Sequence, residues 1–310
     1  MEDGNQTLVK EFILTGLSQN QGTRIILFIL FSVTYSLTIV GNIILICVVL
    51  VSRGMHTPMY YFLCNLSFLD LFYSSTTVPK MLVDTFSGGG GRISFLGCMI
   101  QMSMGLFLGE TECILLAVMA YDRYVAICLP LRYMVIMSWR ICKNITVVLW
   151  LGSLLLATVP MMSRPFSFCG ENKINHFTCE ILALLKLACG DISFYQKTIF
   201  FISLFTILSP FAFIGASYLC IIRSLLKIQS VSGRSKAFST CVSHLTVVFM
   251  FYGTSITMYM GSKNNSSANQ KFVSIIYGIV TPVLNPLIYS LRNGEVKRAL
   301  RKMFSKKLER

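Results

Sequence analysis

A chain of 310 residues that is 54% hydrophobic and only 13% charged, with mean hydropathy +0.67, has too few polar side chains to cover a water-facing surface; an ordinary soluble domain is about 25% charged. It reads as an integral membrane protein, and twelve spans of about 20 residues would consume nearly all of it, which excludes most large transporters. The net charge of +14 raises nucleic-acid binding as a function, and the placement of that charge, taken up below, argues against it.

In chain order, the opening Met1–Phe12 is acidic and lies too far before the first apolar run to be a cleavable signal peptide. Asn5, in Asn5-Gln6-Thr7, is a glycosylation acceptor, a better one than Asn65, Asn144, Asn264 or Asn265. Residues 1–24 therefore read as an extracellular tail. Seven runs long enough to span follow, at roughly Ile25–Val51, Met59–Leu82, Cys98–Tyr121, Ile141–Met161, Lys197–Leu226, Ala237–Met260 and Phe272–Leu291. Thr57-Pro58 reads as an N-cap followed by a first-turn proline. Gly88–Gly91 reads as a flexible turn, and Pro210, Pro282 and Pro286 should kink or loosen the spans that hold them. The fold class is all-α: a seven-transmembrane helix bundle over residues 25–291, N-terminus outside. A basic cytoplasmic tail, 292–310, should carry a short amphipathic helix near Glu295–Phe304.

That orientation puts 17 of the 27 lysines and arginines, with three acids, on the inner side, against 10 with seven acids outside. A basic juxtamembrane helix against anionic membrane lipid explains the tail better than nucleic acid does. Of 11 cysteines, four fall outside: Cys98, Cys169, Cys179 and Cys189. An even number in an oxidising compartment predicts two bridges and leaves three pairings open.

Charged and amide side chains in lipid are costly and mark candidate sites. Asp70, Glu112 and Asn285 share one polar pocket if the second, third and seventh helices meet. Two adjacent carboxyls there must share a proton or hold a cation such as sodium; the plainer reading is interhelical hydrogen bonding. Glu110 and Glu112 point about 200° apart on a helix, so they should not serve the same cavity; Glu110 should face the fourth or fifth helix, or the outer pocket. Ser239, Thr240, Cys241, Ser243, His244 and Thr246 make the inner half of the sixth span unusually polar, which points to a water-accessible inner cavity or to small-residue packing. His244 and the intramembrane acids form no nucleophile–base pair of plausible context, so the chain should not be an enzyme.

Five stretches in order carry a resemblance: PMYYFLCNLSFLD (Pro58–Asp70), MAYDRYVAICLPLRY (Met119–Tyr133), Ser217-Tyr218, KAFSTCVSHL (Lys236–Leu245) and PVLNPLIYSLRN (Pro282–Asn293). With the long second outer loop, the chain resembles, over its whole length, the odorant receptors of the rhodopsin-like G-protein-coupled class, of the tetrapod-type group. Phe251–Ser255 stands where most of the wider class has tryptophan and proline, as odorant receptors do. Tyr61 and Leu129 are small departures from the family pattern.

The resemblance implies bridges Cys98–Cys179 and Cys169–Cys189, and a sodium or proton site at Asp70, Glu112 and Asn285, with no other cofactor. It implies that Asp122 holds Arg123 at rest, next to Tyr124, and that Arg123 turns to the G protein on activation. Tyr218 and Tyr289 would swing inward, with Lys236 and His244 at the coupling end of the sixth helix. Partners would be a small volatile odorant and the stimulatory olfactory G protein, raising cyclic AMP; the location would be the plasma membrane of olfactory cilia. An apolar, sparsely polar pocket suits such ligands. Met102, Gly105, Leu106 and Gly109 share a helix face; Ile202, Ser203 and Thr206 of the fifth helix and Tyr252, Ser255, Ile256 and Tyr259 of the sixth would complete it. The plain alternative for the glycines is close helix packing. His176–Glu180 is similar to a metal-binding pentapeptide proposed for the family, but a disulfide at Cys179 would remove its thiolate, so no metal is expected. The rival functions are a receptor for an endogenous small molecule outside the nose and, from another class, a transporter, for which the paired halves are missing.

Overall fold

The computed structural model describes residues 9–88, 90–163, 166–227, 231–261, 266–292, 294 and 296–301, without the side chains of 231–237, 239, 240, 291 and 292. Asn5, the Lys236 side chain, Asn264, Asn265 and the end of the basic tail lie outside the described residues. Seven long helices run α1 Gln21–Val51, α2 Pro58–Phe86, α3 Phe95–Cys128, α4 Trp139–Ser163, α5 Ser193–Leu226, α6 Val231–Tyr259 and α7, which begins at Ser267 and ends at Arg292. All but α2 are long and apolar enough to cross a membrane. α2 is less apolar because Asn65, Asp70, Lys80 and Asp84 sit within it.

The lipid-facing side of α1 shows the inversion expected in a bilayer. Ile25, Ile26, Ile29, Leu30, Val33 and Leu37 point outward, while Thr38 and Asn42 are buried against the bundle. Asn20 caps α1, its Oδ1 accepting the Thr23 N–H at 3.1 Å, and Ser94 caps α3 through the Gly97 N–H at 3.1 Å. Thr57 is the N-cap residue of α2 with Pro58 in the first turn, but its hydroxyl makes no cap bond. α3 is the hub, packing on α2, α4, α5 and α6. Its 34 residues run about 51 Å.

Two prolines are accommodated by widened turns. π-helical turns occupy Leu204–Leu208 in α5 and Ile276–Val280 in α7, immediately before Ser209-Pro210 and Thr281-Pro282. A proline ring clashes with the carbonyl four residues back; for Pro210 and Pro282 those residues are Thr206 and Gly278, each inside the wide turn. The Thr281 hydroxyl donates to the Ile276 carbonyl at 3.1 Å.

The structure departs from a purely helical reading at its outer end. β1 (Glu11–Leu14) pairs antiparallel with β2 (Gly91–Ser94) and parallel with β3 (Lys173–Ile174). The tail and the glycine turn are thus partly strands of a three-stranded cap. Alternation along β1 buries Phe12 and Leu14 over the bundle, where Phe12 meets Phe168 edge-on at 5.0 Å. Gly91 is required there, because a Cβ would overlap the Asp84 carboxyl, which Lys80 pairs with. At the inner end, residues 296–301 are helical, with Val296 buried and Lys297, Arg298 and Arg301 exposed, the polarity of an amphipathic segment.

Candidate functional site

The outer half of the bundle encloses a cavity of about 90 Å³. α3 supplies Met102, Gly105, Leu106, Gly109, Glu110 and Glu112; α5 supplies Ile202, Ser203 and Thr206; α6 supplies Phe251, Ser255 and Tyr259. Tyr73 and Thr77 of α2, Leu156–Ala157 and Pro160–Met161 of α4, Tyr277 of α7 and Thr178–Ile181 of the second outer loop are also in the wall. A Cβ added at Gly105 or Gly109 would meet nothing within 4 Å, so these glycines border open space rather than a tight helix contact.

Two expected wall residues lie elsewhere. Tyr252 is fully buried beside the wall rather than in it, its hydroxyl donating to the Cys113 carbonyl at 2.5 Å and its ring against Phe211. Ile256 is not in the wall; it packs on the main core, about 100° around the helix from Ser255. Glu110 borders the outer cavity, one of the positions expected for it, but Glu112 borders it too, so the two acids share a cavity although they point about 200° apart on α3.

Glu180, Tyr73 and Tyr277 were not anticipated in the wall. The Glu180 carboxyl accepts the Tyr259 hydroxyl at 3.1 Å and the Tyr277 hydroxyl at 3.3 Å, which ties the loop to α6 and α7. Burial raises its pKa to about 7 despite these donors. An acid adjoining a bridged cysteine was the available signal. The loop is held over the cavity by Cys98–Cys179, with Cα atoms 5.4 Å apart, and closed on itself by Cys169–Cys189. Gln101 accepts the Cys179 N–H at 3.0 Å.

The pentapeptide His176–Glu180 does not converge as a ligand set. The His176 Nδ1 accepts the Thr178 N–H at 3.3 Å, Cys179 is bridged, and Glu180 faces the tyrosines. Burial, with Lys271 and Lys186 nearby, lowers the His176 pKa to about 4. Among the described residues no cluster of histidine, cysteine and acids is arranged for a metal.

Below the cavity, the Asn285 amide donates to both Asp70 oxygens, at 3.0 and 3.1 Å. Glu112 is near enough to act on Asp70 through its charge. Glu112 Oε1 and Asn285 Oδ1 are buried without a partner. Two acids and a free amide oxygen suit a shared proton or a monovalent cation, since each supplies oxygen donors.

At the inner end Asp122 is buried and Arg123 partly exposed, about 38 Å along α3 from Cys98. Their expected pairing is absent: among the described residues the ion pairs are Lys80–Asp84 and Arg92–Glu11. Asp122 instead accepts the Tyr133 hydroxyl from the second inner loop at 2.8 Å. Adjacent residues on a helix diverge by 100°, so a residue eleven positions on reaches the carboxylate more easily than its neighbour does. Tyr124 is partly buried beside Tyr121, and Tyr289 is buried with its hydroxyl unpartnered. His244 joins three helices, Nδ1 to the Tyr218 hydroxyl at 2.9 Å and Nε2 to the Leu116 carbonyl at 3.1 Å. Cys241, Ser243 and His244 are buried in this packing, as the small-residue alternative has it, while the side chains of Ser239 and Thr240 lie outside the described residues.

The seven-helix bundle, with its outer cavity under a disulfide-tethered loop, has the fold of squid rhodopsin, which superposes on it with a TM-score of 0.69 at 18% identity, over 93% of this chain and 87% of that one. The olfactory receptor family model matches residues 31–307. Human olfactory receptor 13F1 is 49% identical over 98% of this chain and 95% of its own length, and mouse olfactory receptor 2A7 is 45% identical over 96% and 97%. The chain belongs to the olfactory receptor family, a family of multi-pass membrane receptors rather than enzymes.

Proposed function

We propose that this chain is an odorant receptor. A small volatile ligand binds in the outer cavity, and the bundle then activates the stimulatory olfactory G protein, raising cyclic AMP, in the ciliary plasma membrane of olfactory neurons. The observation that carries the reading is the enclosed, glycine-bordered cavity on α3, whose other end bears Asp122-Arg123. Its size suits a guest of few heavy atoms. A ligand shifts the resting bundle only by its greater affinity for the active one. In that state α6 moves outward, Arg123 meets the G protein, and Tyr218 and Tyr289 turn inward, with Lys236 at the coupling face. The nine expected wall residues that border the cavity, Met102, Gly105, Leu106, Gly109, Ile202, Ser203, Thr206, Ser255 and Tyr259, are the ligand contacts. Asp70, Glu112 and Asn285 hold a sodium ion or a proton that favours the resting state.

The test is an odorant panel on cells expressing the chain, with cyclic AMP as readout and surface labelling as control. Activation by small apolar volatiles, abolished in Arg123→Ala at undiminished surface level, is the expected result. Undiminished signalling by Arg123→Ala would refute its role.

A further inference from the structure

The cavity wall carries three carboxyl groups, Glu110, Glu112 and Glu180, and no lysine, arginine or histidine among the described residues. Two of the three are engaged elsewhere. Glu180 is bonded to Tyr259 and Tyr277, and Glu112 adjoins Asp70 and Asn285. Glu110 is not: its Oε2 is buried with no hydrogen-bond partner. The hydroxyls of Thr111, next to it in sequence, and of Thr206, in the same wall, give their protons to the Phe107 and Ile202 carbonyls, at 2.6 and 2.9 Å, so neither donates to it. Glu112, only 5% exposed, adds a second unpartnered oxygen, Oε1, to the same wall. Bare carboxyl oxygens in a low-dielectric space are costly, and a positively charged donor offsets that cost best. A carbonyl compound brings only an acceptor, and an alcohol brings one neutral donor of about half the strength.

On the odorant-receptor reading above, we infer that the preferred ligands are small apolar amines, whose ammonium group sits on the Glu110 carboxylate while the hydrocarbon part lies against Met102, Leu106 and Ile202. Glu110 is thus a specificity-determining residue, while Gly105 and Gly109 make room for the chain of the ligand.

The test uses the full chain purified in lipid nanodiscs and thermal unfolding with matched pairs: hexylamine and hexanol, cyclohexylmethylamine and cyclohexylmethanol. A ligand that binds the folded state raises the unfolding temperature with its concentration. The expected result is a rise with an amine and none with its alcohol, and in Glu110→Gln a requirement for at least tenfold more amine. Equal rises for amine and alcohol in the unaltered chain overturn the inference without any variant, as does the absence of a rise with every amine. An undiminished amine effect in Glu110→Gln overturns the assignment to that residue. Cyclic AMP in cells separates the two readings. Amine binding without cyclic AMP sinks the G-protein reading alone, and cyclic AMP in response to neutral odorants alone sinks the amine inference alone.

Discussion

The two halves of the bundle are built on opposite plans. The outer half is hollow and its frame is fixed: two disulfides, a three-stranded sheet, and Glu180 pinned by two tyrosines surround open space. The inner half has a buried core, and its elements are joined by single hydrogen bonds, His244 to Tyr218 and Leu116, and Tyr133 of the second inner loop to Asp122. A rigid hollow end can hold a guest without collapsing. A packed end held by a few bonds worth about 1 kcal/mol each has two arrangements within reach. On the proposed function, recognition belongs to the first half and motion to the second.

Breaking the outer frame should have the largest effect. Cys98→Ser removes the tether between α3 and the second outer loop, and loss of a native disulfide typically costs about 2–5 kcal/mol. Surface expression should fall to near background, measured by labelling intact cells. Filling the hollow is the next test. Gly105→Val adds a side chain whose Cβ meets nothing within 4 Å, so the fold should persist while the odorant response is lost or its profile changed. An unchanged profile at normal surface level would exclude Gly105 from the ligand contacts. Loosening the bond between α6 and α3 beneath the cavity should act in the reverse sense. Tyr252→Phe keeps the ring and removes the donation to Cys113; about 1 kcal/mol is roughly a fivefold change in the ratio of two states. Ligand-free cyclic AMP should rise severalfold, and a basal level equal to the parent chain would mean that this bond does not hold α6 closed.

Much of this division was legible in the sequence, because spans, caps and glycine faces are local. The apolar runs placed all seven helices to within about two turns at each end, with the largest differences at the inner ends of α3, which runs on from Tyr121 to Cys128, and of α6, which starts at Val231 rather than Ala237. What escaped was non-local. β1 is four residues long and pairs with Lys173–Ile174, some 160 positions away, so no hydropathy window registers it. The misplacement of Tyr252 and Ile256 has another cause: both lie near the outer end of α6, but only rotation about the helix decides which side chains face the cavity. The separation expected between Glu110 and Glu112 came from treating the cavity as a point. Two residues 200° apart can both border a space that wraps around a helix whose flank is glycine. The pairing of Asp122 was missed because Tyr133 lies beyond a loop whose path the motif does not encode.

The smallest effect sharpens the comparison within the outer half, through its two buried titratable groups outside the spans. Folding holds His176 neutral, with a pKa near 4 against 6.5 for the free side chain. Between those values the unfolded chain binds a proton that the folded one refuses, so stability falls as pH drops from about 6.5 to 4. Glu180 acts in the opposite sense. Its pKa is near 7 against 4.5, so between those values the folded chain keeps a proton that the unfolded one has lost, and stability falls as pH rises from about 4.5 to 7. The two slopes oppose each other over most of the range, and the net shift in unfolding temperature should be a few degrees at most. Single variants uncover the separate slopes: Glu180→Gln should leave the protein losing stability only on the acid side, and His176→Gln only on the alkaline side. Thermal unfolding of the purified protein from pH 4 to 8 reads both. Parallel profiles for the two variants would show that neither group titrates as its burial dictates, and would remove the loop cap as a pH-responsive part of the rigid half.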